Sequence, residues 1–328
     1  MSMDTRKTTE VLFDTFADHL AKHLEKICFQ GNTEGSKEES LVENFDRSLH
    51  WHKLGLCFQS ISKECTKLAV GYSKPPAPDL KECQLLIDSL KEAINVLWAW
   101  FDAFPLSEGK ALHLELAKLV HSLLEAIQAF ILSIKVNGPS ESHDRLQKTG
   151  KVWEYCELFE KVSKDNKSAA GLRLLQAYQL ADDAFTELKE ELSIDDNDPE
   201  NESWTDQDKP LFEPCLGLIE SAKKTLKMIE SCIKVKGDVK DQKSIEQFDF
   251  IVEMADKISP SVDDLVLSLY PPVDHTNVLT NAKLLASTLE EIIQASKSHH
   301  YMEEKYFHWL DGISNDLKNR VSVLCELP

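Results

Sequence analysis

The sequence predicts an all-α protein built from antiparallel helical bundles, with about ten helices and no significant sheet. Three observations predict it. Apolar residues recur at alternating spacings of three and four along most of the 328-residue chain. The 11 glycines and 12 prolines cluster between these periodic segments. No stretch alternates apolar and polar residues at period two between turn residues, as a half-buried strand would.

The first long stripe is Leu54, Phe58, Ile61, Cys65, Leu68 and Tyr72. Cys83, Ile87, Leu90, Ile94, Leu97 and Phe101 form the second, and Leu112, Leu116, Leu119, Leu123, Ala126 and Phe130 the third. A fourth runs from Leu174 through Tyr178, Ala181, Phe185 and Leu188 to Leu192, and a fifth from Ile219 through Ala222, Leu226 and Ile229 to Ile233. Each stripe places one apolar seam on a helix, as bundle packing at shallow crossing angles requires. Breaks fall at Gly31–Glu39, Lys74–Pro78, Pro105–Gly109, Asn137–Gly150, Ser163–Asn166, Val235–Asp241, Ser259–Pro260, Tyr270–Asp274 and Ser298–His300. Asp165 or Asn166 is a fitting N-cap for the helix after the tight Ser163–Asn166 connector.

The run SIDDNDPENESWTDQDKP, residues 193–210, is the clearest boundary. Acidic and proline-containing, it cannot bury enough surface to fold alone. The expected division is a five- or six-helix bundle over 1–193, an acidic linker over 194–209 and a bundle of about four helices over 210–328. The competing arrangement is a single elongated bundle sharing the helix that ends near Leu192.

Composition excludes several classes. Net charge is −19, with 37 basic and 56 acidic residues, so the chain's field repels phosphate backbones and anionic membranes alike. Direct nucleic-acid binding and membrane association are not expected. The opening residues MSMDTRKTTE carry no apolar region of a secretory signal. The most apolar runs, 93–101 and 126–134, are about half the length that spans a bilayer. The eight cysteines are widely spaced with no CxxC pair and read as reduced core thiols of a cytoplasmic and nuclear protein.

Motifs for catalysis are lacking. The chain has no phosphate-cradling GxxxxGK[ST] or GxGxxG loop, no GxSxG elbow, no HExxH, and no Glu three residues ahead of any of its 11 histidines. No catalytic residue, cofactor or metal is expected. His19 and His23, four apart on one helix, read as solvated surface histidines in preference to a half-site for a metal. His299–His300 reads as a helix junction. KPPAP, residues 74–78, reads as an inter-helix linker, with a polyproline ligand as the sharper alternative. Arg47-Ser48-Leu49 and Arg173-Leu174-Leu175 match a loose Arg-x-Leu docking pattern inside helices that would bury the leucines. Trp204, the one large apolar residue of the acidic run, is either pinned onto a bundle or held out for a partner.

The most informative run is DKISPSVDDLVLSLYPPV, residues 256–273. Ser259 is a strong N-cap, Pro260 suits the first helical position, and Asp263 and Asp264 complement the dipole of the first turn. Val262, Leu265, Val266 and Leu269 form the stripe, and Tyr270-Pro271-Pro272 stops the helix. The expectation is a short helix wedged between two longer ones, with Asp263, Asp264, Leu269, Tyr270, Pro271, Pro272 and Trp204 as candidate partner-binding residues.

This run closely resembles a characteristic segment of the GCIP/Maid family, the cyclin-D-binding proteins. Residues 152–170 (VWEYCELFEKVSKDNKSAA) and 204–229 (WTDQDKPLFEPCLGLIESAKKTLKMI) are similar to the same family, and residues 49–70 more loosely. The resemblance implies a helical, non-enzymatic regulator that binds D-type cyclins and restrains the cell cycle and transcription. It also implies contact with an SH2/SH3 adaptor and Id-like pairing with helix-loop-helix proteins, which would map to Val152–Leu192. No basic region precedes that segment. The alternative is a vinculin- or talin-rod-like helical adaptor, because stacked antiparallel bundles recur there.

Overall fold

The computed structural model describes residues 3–30, 45–192 and 204–327, and side chains from residue 8 onward except 28–30. Ten α-helices account for nearly all of it, and no strand occurs among the described residues. They are α1 (Met3–Gln30), α2 (Arg47–Gly71), α3 (Leu80–Asp102), α4 (Lys110–Asn137), α5 (His143–Leu158), α6 (Asn166–Glu191), α7 (Lys209–Lys236), α8 (Gln242–Ser268), α9 (His275–Lys297) and α10 (Phe307–Glu326). Acidic and hydroxyl N-caps start many of them. Asp46, Asp79, Ser142, Asp165 and Asp241 each accept a bond from the backbone N–H three residues on. At Asp79 the Glu82 side chain returns the bond and closes a capping box.

The helices sort into two compact units that divide before α6, not at the acidic run. The first comprises residues 1–108 and 113–164, the second 109–112 and 165–328. The expected 1–193 bundle placed the division one helix later, after α6. Helix α6 packs on α7 and α8 through Ala169, Ala170, Leu174, Ala177, Ala181 and Leu188, all buried. Its small residues let the neighbouring helices approach closely, so packing and not linker composition sets the boundary. Residues 194–203 of the expected linker lie outside the described residues.

In the first unit α2 packs on α3 and α5, and α1 on α3. Phe58, Phe101, Leu123, Ile127 and Phe130 lie at its centre, each essentially inaccessible. Helix α4, which contains the apolar run 126–134, is long and apolar enough to cross a membrane by length and composition, with just over half of that stretch buried inside the protein. Leu116, Val120, Leu123, Leu124, Ile127, Phe130, Ile131 and Ile134 of α4 are buried, whereas Leu132 and Val136 are exposed. His23 is also buried, its ring 4.7 Å from that of Trp98 and 4.8 Å from that of His19, which in turn contacts Asn95 Oδ1 at 3.0 Å. The pair thus seats α1 on α3 and is not a solvated surface pair.

The second unit holds α6–α10. Here α8 overturns the expected helix start at Ser259–Pro260, because it runs unbroken from Gln242 to Ser268 with Pro260 inside it. An interior proline costs about 3 kcal/mol through the lost amide bond and ring clash. Ile258, Ser259, Ser261, Val262 and Leu265 are all buried around it, while the proline itself faces solvent. That tertiary burial outweighs the local penalty, so the characteristic segment is the second half of a long helix and not a separate wedge.

Candidate partner-binding site

The C-terminal end of α8 and the lead-in to α7 meet at one corner. Helix α8 stops at Ser268, Tyr270-Pro271-Pro272 turns the chain, and Asp274 caps α9 through the backbone N–H groups of Thr276 and Asn277. The indole N–H of Trp204 donates to the Leu269 carbonyl at 2.7 Å, and its ring meets Phe212 edge-on at 5.6 Å. Of the two readings of Trp204, the structure selects the pinned one. The bond also satisfies a carbonyl that the helix end leaves without an intrahelical partner.

Four residues on, Asp208 braces the same corner. One carboxylate oxygen accepts from the backbone N–H and hydroxyl of Thr205, at 2.8 and 2.7 Å, and the other lies 2.7 Å from His275 Nε2. Burial pushes the Asp208 carboxyl up, but the bonds from His275 and Thr205 outweigh it and hold the group below its ordinary value. Tyr270 is half-buried; burial first, then the charges of Glu187 and Glu191 on α6, raise its phenol.

The structure therefore brings Trp204, Tyr270, Pro271 and Pro272 together around the Leu269 carbonyl. Leu269's side chain is wholly buried, which corrects its reading as a contact residue: it holds α8 in the core. Asp263 and Asp264 stand on the exposed face of α8, about two turns back. Burial, then the charge of Asp264, raises the Asp263 carboxyl. Neighbouring α9 ties in through Asn281 Nδ2, 3.0 Å from the Asp264 carbonyl. Leu267, 67% exposed on the same face, is the residue the sequence reading missed. Its signal was an apolar residue out of register with the Val262, Leu265, Val266 and Leu269 stripe. Asp208 and His275 carried no sequence signal, since only the folded corner joins them.

The docking-pattern leucines differ. Leu174 is buried beside Arg173, which pairs with Asp256, whereas Leu49 is 48% exposed because Arg47 is the first residue of α2 and not mid-helix. KPPAP forms the connector between α2 and α3. No group of three His, Cys, Asp or Glu residues fit to hold a metal occurs among the described residues. Cys57, Cys65, Cys83, Cys215 and Cys232 are buried free thiols, and burial pushes Cys215 up to about 12, far from a reactive thiolate.

The chain is in class an all-α protein of two helical units. The sequence comparisons give the family. Residues 53–193 match the N-terminal and residues 189–294 the C-terminal domain of the Grap2 and cyclin-D-interacting proteins. The chain is 30% identical over 289 residues to cyclin-D1-binding protein 1 homolog of Xenopus laevis, covering 83% of this chain and 86% of that one. It is 30% identical to cyclin-D1-binding protein 1 of Bos taurus, with 94% and 92% covered, and 28% identical to that of Homo sapiens, again with 94% and 92% covered. The chain belongs to the Grap2 and cyclin-D-interacting protein family.

Proposed function

We propose that this chain is a non-enzymatic regulatory protein that binds a D-type cyclin and thereby restrains cell-cycle progression and transcription in cytoplasm and nucleus. The observation that carries the reading is similarity along nearly the whole chain to proteins named for cyclin-D1 binding. The contact surface in this reading is the exposed part of the 256–273 segment: Asp263, Asp264, Tyr270, Pro271 and Pro272, with Leu267 added and Trp204 as the brace behind it. Tyr270 is the residue of this group whose type is enriched at interface centres.

Contact with an SH2/SH3 adaptor is the second partner that the family resemblance implies. Id-like pairing through Val152–Leu192 is disfavoured, because Val152, Leu174, Ala181 and Leu188 are buried within their own units and would have to be pulled out first. The test is calorimetric titration of the full chain with a D-type cyclin, beside Tyr270→Ala and Leu267→Asp variants. Micromolar or tighter binding, weakened about tenfold in a variant that keeps its helical circular dichroism, supports the reading and the site. Unchanged affinity in both variants keeps the function and discards the site. Wild-type protein that does not bind returns the weight to a helical adaptor.

A further inference from the structure

A second surface lies wholly in the first unit. The last turns of α2, the 72–79 connector and the first turns of α3 enclose an open groove of about 950 Å3. Val70 and Leu85 stand in its walls, 66% and 60% exposed, with Pro76 and Pro78 beside them. Gly71 keeps the floor low: a Cβ there would lie 3.4 Å from Pro78 Cγ and 3.5 Å from Leu86 Cδ1. Trp153 of α5 extends the apolar rim, its indole N–H donating to Thr66 Oγ1 at 2.9 Å while its ring stays 39% exposed.

We propose that this groove docks an amphipathic helix of a protein partner whose flanks are acidic. Open apolar walls on two facing helices suit a helix laid in a groove, which anchors through residues at i, i+3 or i+4, and i+7. The charges select the flanks. In a chain of net charge −19 the groove is lined by Lys63 and Lys67 against one carboxylate, Glu82. That carboxylate accepts from the Asp79 backbone N–H and is committed to the capping box. Lys67 pairs with Glu64, whose side chain is only 12% exposed, so the lysine end of that pair is what an incoming helix meets. Lys63 makes no ion pair among the described residues, nor does Lys81, one turn before Leu85 on the same face of α3. Lys63, Thr66, Lys67 and Val70 form a single i, i+3, i+4, i+7 row along α2, so cations and apolar anchor lie on one line. An acidic helix pairs with the free lysines; a basic one is repelled by them.

The surface is independent of the cyclin reading and is tested separately. A display library of helical peptides, with all outward positions randomised, is selected against the full chain. The recovered peptides are then titrated by fluorescence anisotropy against wild type, Val70→Asp, Leu85→Asp and Lys63→Glu. All three positions are exposed, and circular dichroism checks that helicity is kept. The expected peptides carry an apolar i, i+3 or i+4, i+7 row flanked by Asp and Glu. They lose at least about tenfold in affinity on Val70→Asp and Leu85→Asp, and several-fold on Lys63→Glu, with weaker binding as salt rises. Recovery of no binder, of basic peptides, or of peptides that bind both aspartate variants as well as wild type overturns the proposal.

Discussion

The two units follow one recipe, amphipathic helices with acidic N-caps, yet differ in charge and in the polar groups they bury. Most of the net −19 sits in the second unit, with 32 acidic and 18 basic residues against 24 and 19 in the first. The first unit buries imidazoles among aromatic rings: His23 against Trp98, and His50 against Phe45, Trp100 and Phe104. The second buries mainly hydroxyls, and several bond back to a carbonyl of their own helix: Ser221 to Gly217, Thr225 to Ser221, Ser261 to Lys257 and Thr288 to Leu284. A buried hydroxyl satisfied within its helix is indifferent to pH; a buried neutral imidazole is not. The first unit thus buries more groups that acid would charge, and the second carries more of the negative charge.

The comparison breaks first at the core. Leu269→Asp places a charge at a wholly inaccessible position and is expected to cost more than about 4 kcal/mol, unfolding the second unit with loss of its share of helical circular dichroism. Leu267→Asp, two residues away and 67% exposed, changes stability by less than about 0.5 kcal/mol. In the first unit Phe159→Ala removes a buried ring stacked 4.6 Å from Phe58 and should cost about 3–5 kcal/mol by denaturant titration. If the units are separately cooperative, each variant moves only one of two transitions.

Next in size is Gly109→Ala. Gly109 has φ 122°, and a Cβ there would sit 1.9 Å from Asn166 Cγ. Asn166 is almost wholly buried and accepts from the Leu112 N–H, so it has little freedom to yield. A loss of about 1–3 kcal/mol is expected from backbone strain alone. Gly138→Ala, at φ 59° with nothing within 4 Å, should cost less and serves as the control.

Acid probes the imidazoles. Burial, then Lys91, lowers His19; burial, then His19, lowers His23; burial lowers His50. A depressed histidine stabilises the fold above its unfolded pKa of 6.5, and that stability is lost as pH falls from 6.5 through the folded value. The first unit's melting temperature should therefore drop between pH 7.5 and 5, and His23→Phe should flatten the drop. In the second unit His299, pushed by burial down to about 4, contributes in the same sense and is the group to mutate for comparison. Smallest of all, Asp206→Asn breaks an exposed ion pair with Lys209 and should leave the melting temperature unchanged.

The fold was legible because its seams are long and regular: the five sequence stripes lie on helices of the structure, with only Tyr72 and Leu192 at the C-caps just beyond them. Tertiary packing hid the rest. Ser259–Pro260 has the local chemistry of a helix start, and only the burial of Ile258, Ser261 and Val262 on both sides reveals a continuous α8. The acidic run reported its own solubility and not which faces pack, so the assignment of α6 to the second unit was invisible. At the site, composition points to Tyr270, Pro271 and Pro272, but the placement of Trp204 depends on a bond to the Leu269 carbonyl, 65 residues away in sequence. Leu269, a member of the apolar stripe, lies in the core, and Leu267, outside that stripe, is exposed.

The most direct test of the account is hydrogen exchange on the full chain with and without a D-type cyclin. The account predicts slowed exchange confined to residues 204–208 and 263–275, with the rest of the chain unchanged. Protection confined to α1–α5, or none at saturating cyclin, would contradict it.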